Sequence, residues 1–420
     1  MNNLSAIFQI PELRKKILYT FAILAVYRVG SHIPISGINL DALNSLFDQG
    51  GVLGFLNLFS GGALSRFSIF ALGILPYINA SIIMQLMTIV WPKLKEIAEE
   101  GYQGRKQLAQ ITRYLAIALA FVQATMMVVG FKSFVSPDIS FQFFMAYAIV
   151  GLVAGAALVM WFGELISENG IGNGASILIF VGIIAQVPFY IKNTYVLVQG
   201  GTSPVNVAIL AAVFIGIIVS IVFVQEAERR VTVQYAKRIV GRKMMGGQNT
   251  YIPLRLIQGG VMPIIFASAV LQFPLMFSQY INIESIQNFF STYFTYDGVV
   301  YNLFFCILIF FFTYFYTAIT FNPQDLAENI RKNGGFIMGV RPGRPTVEYL
   351  EKIITKLTFV GAVFLAFVAL VPVIASNLTN VTSFMGLGGT ALLIMVGVAM
   401  DLVKQIDTFV IAKRYEGLTK

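Results

Sequence analysis

Ten runs of about twenty apolar residues recur along this chain, at 17–35, 69–91, 108–131, 141–164, 175–192, 205–225, 256–279, 301–321, 355–375 and 385–405. A helix of that length crosses the hydrocarbon core of a bilayer, so a chain with ten of them is a polytopic membrane protein before any other feature is weighed. Composition agrees. Of 420 residues 57% are hydrophobic and only 12% are charged, against roughly 25% charged in an ordinary soluble domain. Residues 1–16 are polar and close on Arg14, Lys15 and Lys16. The apolar run after them has no small-residue cleavage site, so the first hydrophobic helix is expected to be kept and the mature chain to start at Met1.

Charge orients the spans. With the amino terminus inside, the outer loops hold only Arg66, Lys132 and Lys192, and Arg28 lies within the first span. The other 25 of 29 Lys and Arg fall in inner loops, tails or inner helix ends. This positive-inside bias, with an even number of spans, predicts both termini in the cytoplasm. The outer segments carry Asp41, Asp48, Asp138, Glu284 and Asp297. Five spans on each side of a 193–204 linker divide the chain into halves 1–192 and 205–420, whose odd span number forces opposite orientations, as in inverted-repeat folds.

The middle thirds of the spans contain no Asp, Glu or Lys. Ion-coupled solute transporters place such groups near the midplane, so a passive path fits better. Enzyme chemistry is expected to be absent. The single cysteine, Cys306, and single histidine, His32, make neither a disulfide nor a Cys/His zinc site, and no metal or cofactor is expected. There is also no His-Glu-x-x-His motif, no Gly-x-Ser-x-Gly elbow and no Gly-Lys-Ser or Gly-Lys-Thr phosphate loop. His32 reads as an ordinary outer-interface residue. Arg28, a turn inside the outer end, is expected to snorkel or to pair with a helix neighbour.

Several segments are not plain spans. Residues 53–67 are apolar but too short to cross, and Gly61-Gly62 interrupts them; they either re-enter the membrane or lie at its surface. The 226–255 loop holds Arg229, Arg230, Lys237, Arg238, Arg242, Lys243 and Arg255. Within it Val231–Tyr235 alternates like a strand, and Gly246-Gly247 precedes a second extended piece at 249–252, which predicts a hairpin. In the 322–346 loop, Asn322-Pro323 opens a helix that Gly334-Gly335 closes, followed by a rigid turn presenting Arg341 and Arg344. Two structured basic loops on one face predict a docking surface for an acidic protein or RNA. Glu168–Gly174 has Gly-x-Gly spacing but no preceding strand, so it reads as a tight turn between helices and not as a dinucleotide site.

Phe59-Ser-Gly-Gly-Ala-Leu-Ser-Arg66, Pro76-Tyr-Ile-Asn-Ala-Ser81, Glu168-Asn-Gly-Ile-Gly-Asn-Gly-Ala-Ser176, Gln234-Tyr-Ala-Lys-Arg238, Ile337-Met-Gly-Val-Arg-Pro-Gly343 and Gly388-Gly-Thr-Ala-Leu-Leu-Ile394 together resemble the SecY family, the channel subunit of the bacterial Sec protein translocase. The resemblance implies an all-α fold of ten transmembrane helices, in two inverted five-helix halves around a central hourglass pore with a re-entrant plug. It implies a protein-conducting channel that passes unfolded secretory polypeptides and releases signal sequences and transmembrane segments laterally into lipid. By motif position the pore ring would be Ile74, Ile78, Ile179, Ile183, Ile265 and Ile394. The plug would lie within 53–67, with Phe59, Ser60, Gly61, Gly62, Ala63, Leu64, Ser65 and Arg66 in its motif. Asn79 and Gln123 would lie at a lateral gate. Arg341, with Arg344, Arg229, Arg230, Lys237, Arg238, Arg242, Lys243 and Arg255, on loops 226–255 and 322–354, would dock a motor or ribosome. The implied partners are the SecE and SecG membrane subunits, the SecA ATPase, the ribosome, precursor polypeptides bearing signal sequences, and membrane lipid.

Overall fold

The computed structural model describes residues 10–40, 42–43, 57, 59–235, 238–240, 243–245, 249–278, 298–379, 381 and 388–418. Asp41, Asp48, Glu284, Asp297, Lys237, Arg242 and the plug positions 53–56 and 58 lie outside the described residues. Each of the ten apolar runs contains a helix: α1 (Pro11–Gly30), α2 (Leu75–Val90), α4 (Tyr102–Gly130), α5 (Phe141–Asn169), α6 (Gly174–Gln199), α7 (Pro204–Glu226), α8 (Met262–Ser278), α9 (Val299–Thr320), α11 (Arg344–Thr379) and α12 (Gly389–Leu418). The short helices α3 (Pro92–Glu99) and α10 (Pro323–Lys332) lie in the loops. Lipid offers the backbone no hydrogen-bond partners, so apolar chain at membrane depth closes its own bonds as helix.

Seven of these helices, among the described residues, are long and apolar enough to cross unaided. The other three have physical reasons to fall short. The first turns of α1 carry Glu12, Arg14, Lys15 and Lys16. α2 has 16 residues and α8 has 17, about 24–26 Å against a core of about 30 Å. For α2, mostly buried non-helical chain at 60–74 makes up the difference. Thus the expected span 69–91 begins as turns and becomes helix only at Leu75.

The first half packs α1 on α5, α2 on α4, α4 on α5 and α5 on α6. The second packs α7 on α11 and α12, α8 on α9, α9 on α11, and α11 on α12. Helix α6 runs through Gln199 and α7 starts at Pro204, so the turn joining the halves is 200–203. An Arg113–Glu164 ion pair of 2.6 Å ties α4 to α5 at their inner ends. The glycine-rich turn before α6 is closed by Asn173, whose side chain accepts from Ser176 N–H at 3.2 Å, and by Ser167 Oγ, which accepts from Gly174 N–H at 2.9 Å.

The two basic loops fold as one unit. Strand β1 (Glu228–Tyr235) pairs antiparallel with β4 (Asn249–Arg255), with Val231 opposite Ile252, as the alternation predicts. Between them β2 (Arg238–Val240) and β3 (Lys243–Met245) form a separate two-stranded ladder. The other edge of β1 takes β5 (Gly335–Ile337) from the second loop, Val233 opposite Ile337. Under this sheet Val231, Val233, Leu254, Ala327, Ile330, Ile337, Leu350 and Ile354 make a core of their own. Leu350 and Ile354 come from α11, whose 36 residues extend about 54 Å, well past a bilayer core.

Close approach of Gly155 on α5 to the chain entering α2 sets how deeply that chain sits. A Cβ there would collide with the Ile69 carbonyl oxygen. Gly155→Val is expected to cost about 1–3 kcal/mol through overpacking, read as a lowered Tm in detergent. Gly216→Ala on α7, where a Cβ meets nothing, is the matched control and leaves Tm unchanged.

Candidate functional site

The halves meet chiefly where α2 packs on α8 and α6 packs on α12. All six isoleucines expected in the ring lie on those four helices. Ile74 is the N-cap of α2 and Ile78 is one turn on; Ile179 and Ile183 are on α6, Ile265 on α8 and Ile394 on α12. All six are buried, none more than 7% exposed, and all belong to one continuous apolar cluster. The same cluster contains Phe59 and Ala63 of the expected plug.

The plug motif is buried inside the protein, which settles the open alternative for residues 59–66 in favour of re-entry. Phe59, Ser60, Ala63 and Leu64 are each at most 2% exposed, while Arg66 reaches solvent. Non-helical backbone at this depth must find its partners within protein, and this one does. Asn57 accepts from Gly62 N–H at 2.9 Å through its carbonyl and from Ser65 N–H at 2.9 Å through Oδ1. Ser60 Oγ accepts from Leu64 N–H at 3.1 Å, and Ser65 Oγ donates to the Gly62 carbonyl at 3.1 Å. Beyond the plug, Ile35 N–H donates to Phe67 O at 2.9 Å and Ile69 N–H to Ile33 O at 3.1 Å, pinning the exit to the chain after α1.

Gly61 (φ +66°) takes a left-handed conformation, and a Cβ there would lie 3.0 Å from Gly182 Cα. Gly182 precedes Ile183, so the 59–66 segment lies directly against the helix that carries Ile179 and Ile183. On the opposite flank Tyr27 Oη donates to the Ser60 carbonyl at 3.4 Å and Arg28 Nη1 to the Gly61 carbonyl at 2.9 Å. Arg28 therefore bonds the plug, where the sequence pointed to snorkelling or a helix neighbour. The signal available in sequence was a lone cation inside a span.

Asn79 on α2 is 4% exposed, and its Oδ1 is buried with no hydrogen-bond partner. Ser68 Oγ and Thr390 Oγ1, at the plug exit and the start of α12, share that condition. Gln123 is buried on α4, and no hydrogen bond joins it to Asn79. On the two basic loops, Arg229, Arg255 and Arg341 are exposed, and Arg344 is exposed beside Glu348 at 3.2 Å. Arg230 bonds Glu228 at 2.7 Å and lies 4.7 Å from the Tyr251 ring centre. The Glu228 carboxylate raises the pKa of that guanidinium above its ordinary value. Arg238 and Lys243 contribute backbone to β2 and β3.

A sequence profile described as SecY matches residues 68–403. The protein translocase subunit SecY of Thermotoga maritima is 43% identical over 424 residues, covering 98% of this chain and 96% of that one. The chain belongs to the SecY family. Among solved structures, a SecY whose plug domain stabilises the closed state of its translocation channel and maintains a membrane seal superposes with a TM-score of 0.64 at 19% identity, over 94% of this chain and 91% of that one. Sec61 from a canine ribosome–channel complex of the endoplasmic reticulum superposes at 0.63 and 18% identity, with the same coverages. The SecY fold accounts for all ten helices, the two inverted halves around a pore and the re-entrant plug.

An unsatisfied amide at a helix seam destabilises it. Asn79→Leu, nearly isosteric, removes that buried oxygen, and is expected to stabilise the protein by about 1–2 kcal/mol, seen as a raised Tm in detergent.

Proposed function

We propose that this protein is a protein-conducting channel whose seal is the apolar ring Ile74, Ile78, Ile179, Ile183, Ile265 and Ile394 backed by the plug. One observation carries the assignment: the six side chains lie on the four helices through which the halves meet, buried in one cluster with plug residues. The ring works by unequal costs. Stripping an ion of water in a low-dielectric constriction costs on the order of 20 kcal/mol before relaxation. Pushing aside a buried isoleucine costs about 1.5–3 kcal/mol, and a passing polypeptide replaces part of those contacts. The collar therefore yields to a chain while excluding ions.

Secretory polypeptides cross through the ring unfolded. Signal sequences and transmembrane segments leave sideways between α2 and α8, where Asn79 lowers the cost of parting and Gln123 stands behind on α4. The two five-helix halves move as the two shells, hinged at the 200–203 turn, since 193–199 of the expected 193–204 linker continues α6 as helix. Both termini and the sheet formed by the two basic loops face the cytoplasm of a cell bounded by its plasma membrane. There a motor ATPase of the SecA kind or a ribosome docks on Arg229, Arg230, Lys237, Arg238, Arg242, Lys243, Arg255, Arg341 and Arg344, and supplies the energy. SecE- and SecG-like subunits complete the channel in the membrane. The chain itself acts as a conduit and catalyses no reaction.

Site-specific photocrosslinking from Ile78 and Ile183 to a stalled secretory precursor in membrane vesicles tests the pore. Adducts are expected at both positions and not at lipid-facing Val150 or Phe223, which are 69% and 77% exposed. No adduct at either ring position, with the precursor engaged, would return a solute transporter to contention. The docking assignment has its own test. Arg341→Glu is expected to lower motor- or ribosome-coupled translocation at least about tenfold, because reversing a charge replaces attraction with repulsion, with membrane insertion of the channel unchanged. Normal coupling in that variant removes Arg341 from the docking surface.

A further inference from the structure

The first span contains a cation, Arg28. Arg28 lies half-buried on α1, and among the described residues no Asp or Glu forms an ion pair with it. A charge held inside a membrane span is costly, and such residues usually mark a function. Its donor goes to the Gly61 carbonyl at 2.9 Å, while the preceding Tyr27 reaches the adjacent Ser60 carbonyl at 3.4 Å. Two consecutive side chains of one helix thus grip two consecutive carbonyls of the plug.

The grip has a floor and a wall. Tyr27 is 1% exposed and stacks on Phe70, with ring centres 5.8 Å apart, which fixes its hydroxyl. Across the plug, Gly61 lies against Gly182, and a side chain on Gly61 would meet both Gly182 Cα at 3.0 Å and Arg28 Nη1 at 3.2 Å. Only a bare backbone fits between α1 and α6. Ser31 Oγ and His32 Nδ1 both lie within hydrogen-bond distance of the Arg28 carbonyl, at 2.7 and 2.8 Å, and so tie the helix end beside it. The guanidinium acts on the plug as a charged donor to a neutral acceptor, a bond stronger than a neutral pair and free of the desolvation of a second charge.

We propose that Arg28, seconded by Tyr27, is the positioning residue that latches the plug against the ring in the resting channel. Arg66, on the plug itself, carries the same charge as Arg28, and their repulsion opposes the clasp. Closure thus leans on two directional hydrogen bonds, from Arg28 and from Tyr27, that a passing polypeptide can break and water can replace. When the plug moves out, the guanidinium is left in the wet outer vestibule, where hydration compensates the lost bond. The latch is therefore releasable in a way that a buried ion pair would not be.

This inference rests on the channel reading, and its test separates the two. The full-length channel, with Cys306 replaced by Ser, carries a single reporter at Ser60→Cys, whose parent side chain is 1% exposed. Labelling by a membrane-impermeant maleimide from the outer side, and resting chloride efflux from vesicles, are read together. Arg28→Met is expected to raise both about tenfold or more, the effect of losing a charge-assisted hydrogen bond. A second reporter at Ala362→Cys on α11, fully buried in the parent, is expected to stay protected. Should Arg28→Met not accumulate in membranes, Arg28→Gln, too short to span the same gap, is read the same way. Deletion of residues 60–66 is the reference for an unplugged pore. Unchanged labelling and efflux in the Arg28 variant, with the deletion leaking, would overturn the latch and leave the channel standing. Equal rises at Ser60→Cys and Ala362→Cys would mean general loosening and would also overturn it. A deletion that does not leak would overturn the channel reading, and the latch with it.

Discussion

Backbone that is not helical cannot face lipid, and residues 60–74 are where that constraint shapes the rest of the molecule. Their amides and carbonyls are satisfied by Asn57, Ser60, Ser65, Tyr27, Arg28 and the 33–35 segment. Each of those partners fixes something else. Ile33 and Ile35 hold the end of the first span against the plug exit, and Gly155 lets α5 approach it closely. Because this chain is buried and turned, α2 is short, so its N-cap Ile74 falls deep within the protein beside the plug and not at a membrane surface. The ring position of Ile74 is thus a consequence of where the helix is allowed to begin.

The same constraint explains why the two halves can part without unfolding. Each helix satisfies its own backbone, so separating α2 from α8 exposes side chains and leaves main-chain bonds intact. What lipid must then accept at that seam is mostly isoleucine and similar groups, which it solvates as well as protein does. The exception is Asn79, whose buried oxygen is unbonded in the closed arrangement and has everything to gain from water or a partner on opening. Packing holds α2 against α8, and the buried amide oxygen of Asn79 works against it.

Much of this was legible in the sequence because lipid enforces simple rules. Ten apolar runs gave ten helices, and Asn322 caps α10 by accepting from Gln324 N–H at 3.0 Å, as its place before Pro323 implied. The Val231–Tyr235 alternation found its hairpin partner. What stayed hidden involved residues distant in the chain. Gly335–Ile337 is three residues long and joins a strand about a hundred residues earlier; so short a piece carries no usable period. The extension of α11 is amphipathic toward a sheet that no local pattern reveals. Arg28 was visible as an anomaly, yet its acceptor is a backbone carbonyl, and every residue offers one of those. The ring isoleucines came from family motifs alone, since an isoleucine in a span looks the same whether it faces a pore, a neighbour or lipid.

The sheet of the two basic loops and the membrane halves are joined through rigid elements. Helix α11 is continuous from the sheet, where Leu350 and Ile354 are core residues, to the middle of the second half, where Leu365 and Val368 pack in the cluster that holds the ring. β1 follows α7 after one residue, Ala227, whose carbonyl accepts from Leu256 N–H at 3.0 Å as the chain returns toward α8. A load applied to the basic loops therefore reaches α7, α8 and α11, all in the second half, while β1, β4 and β5 contribute nothing to the first. The α2–α8 and α6–α12 contacts are the main ones between the halves, and the six buried isoleucines and the orphaned Asn79 lie on those four helices.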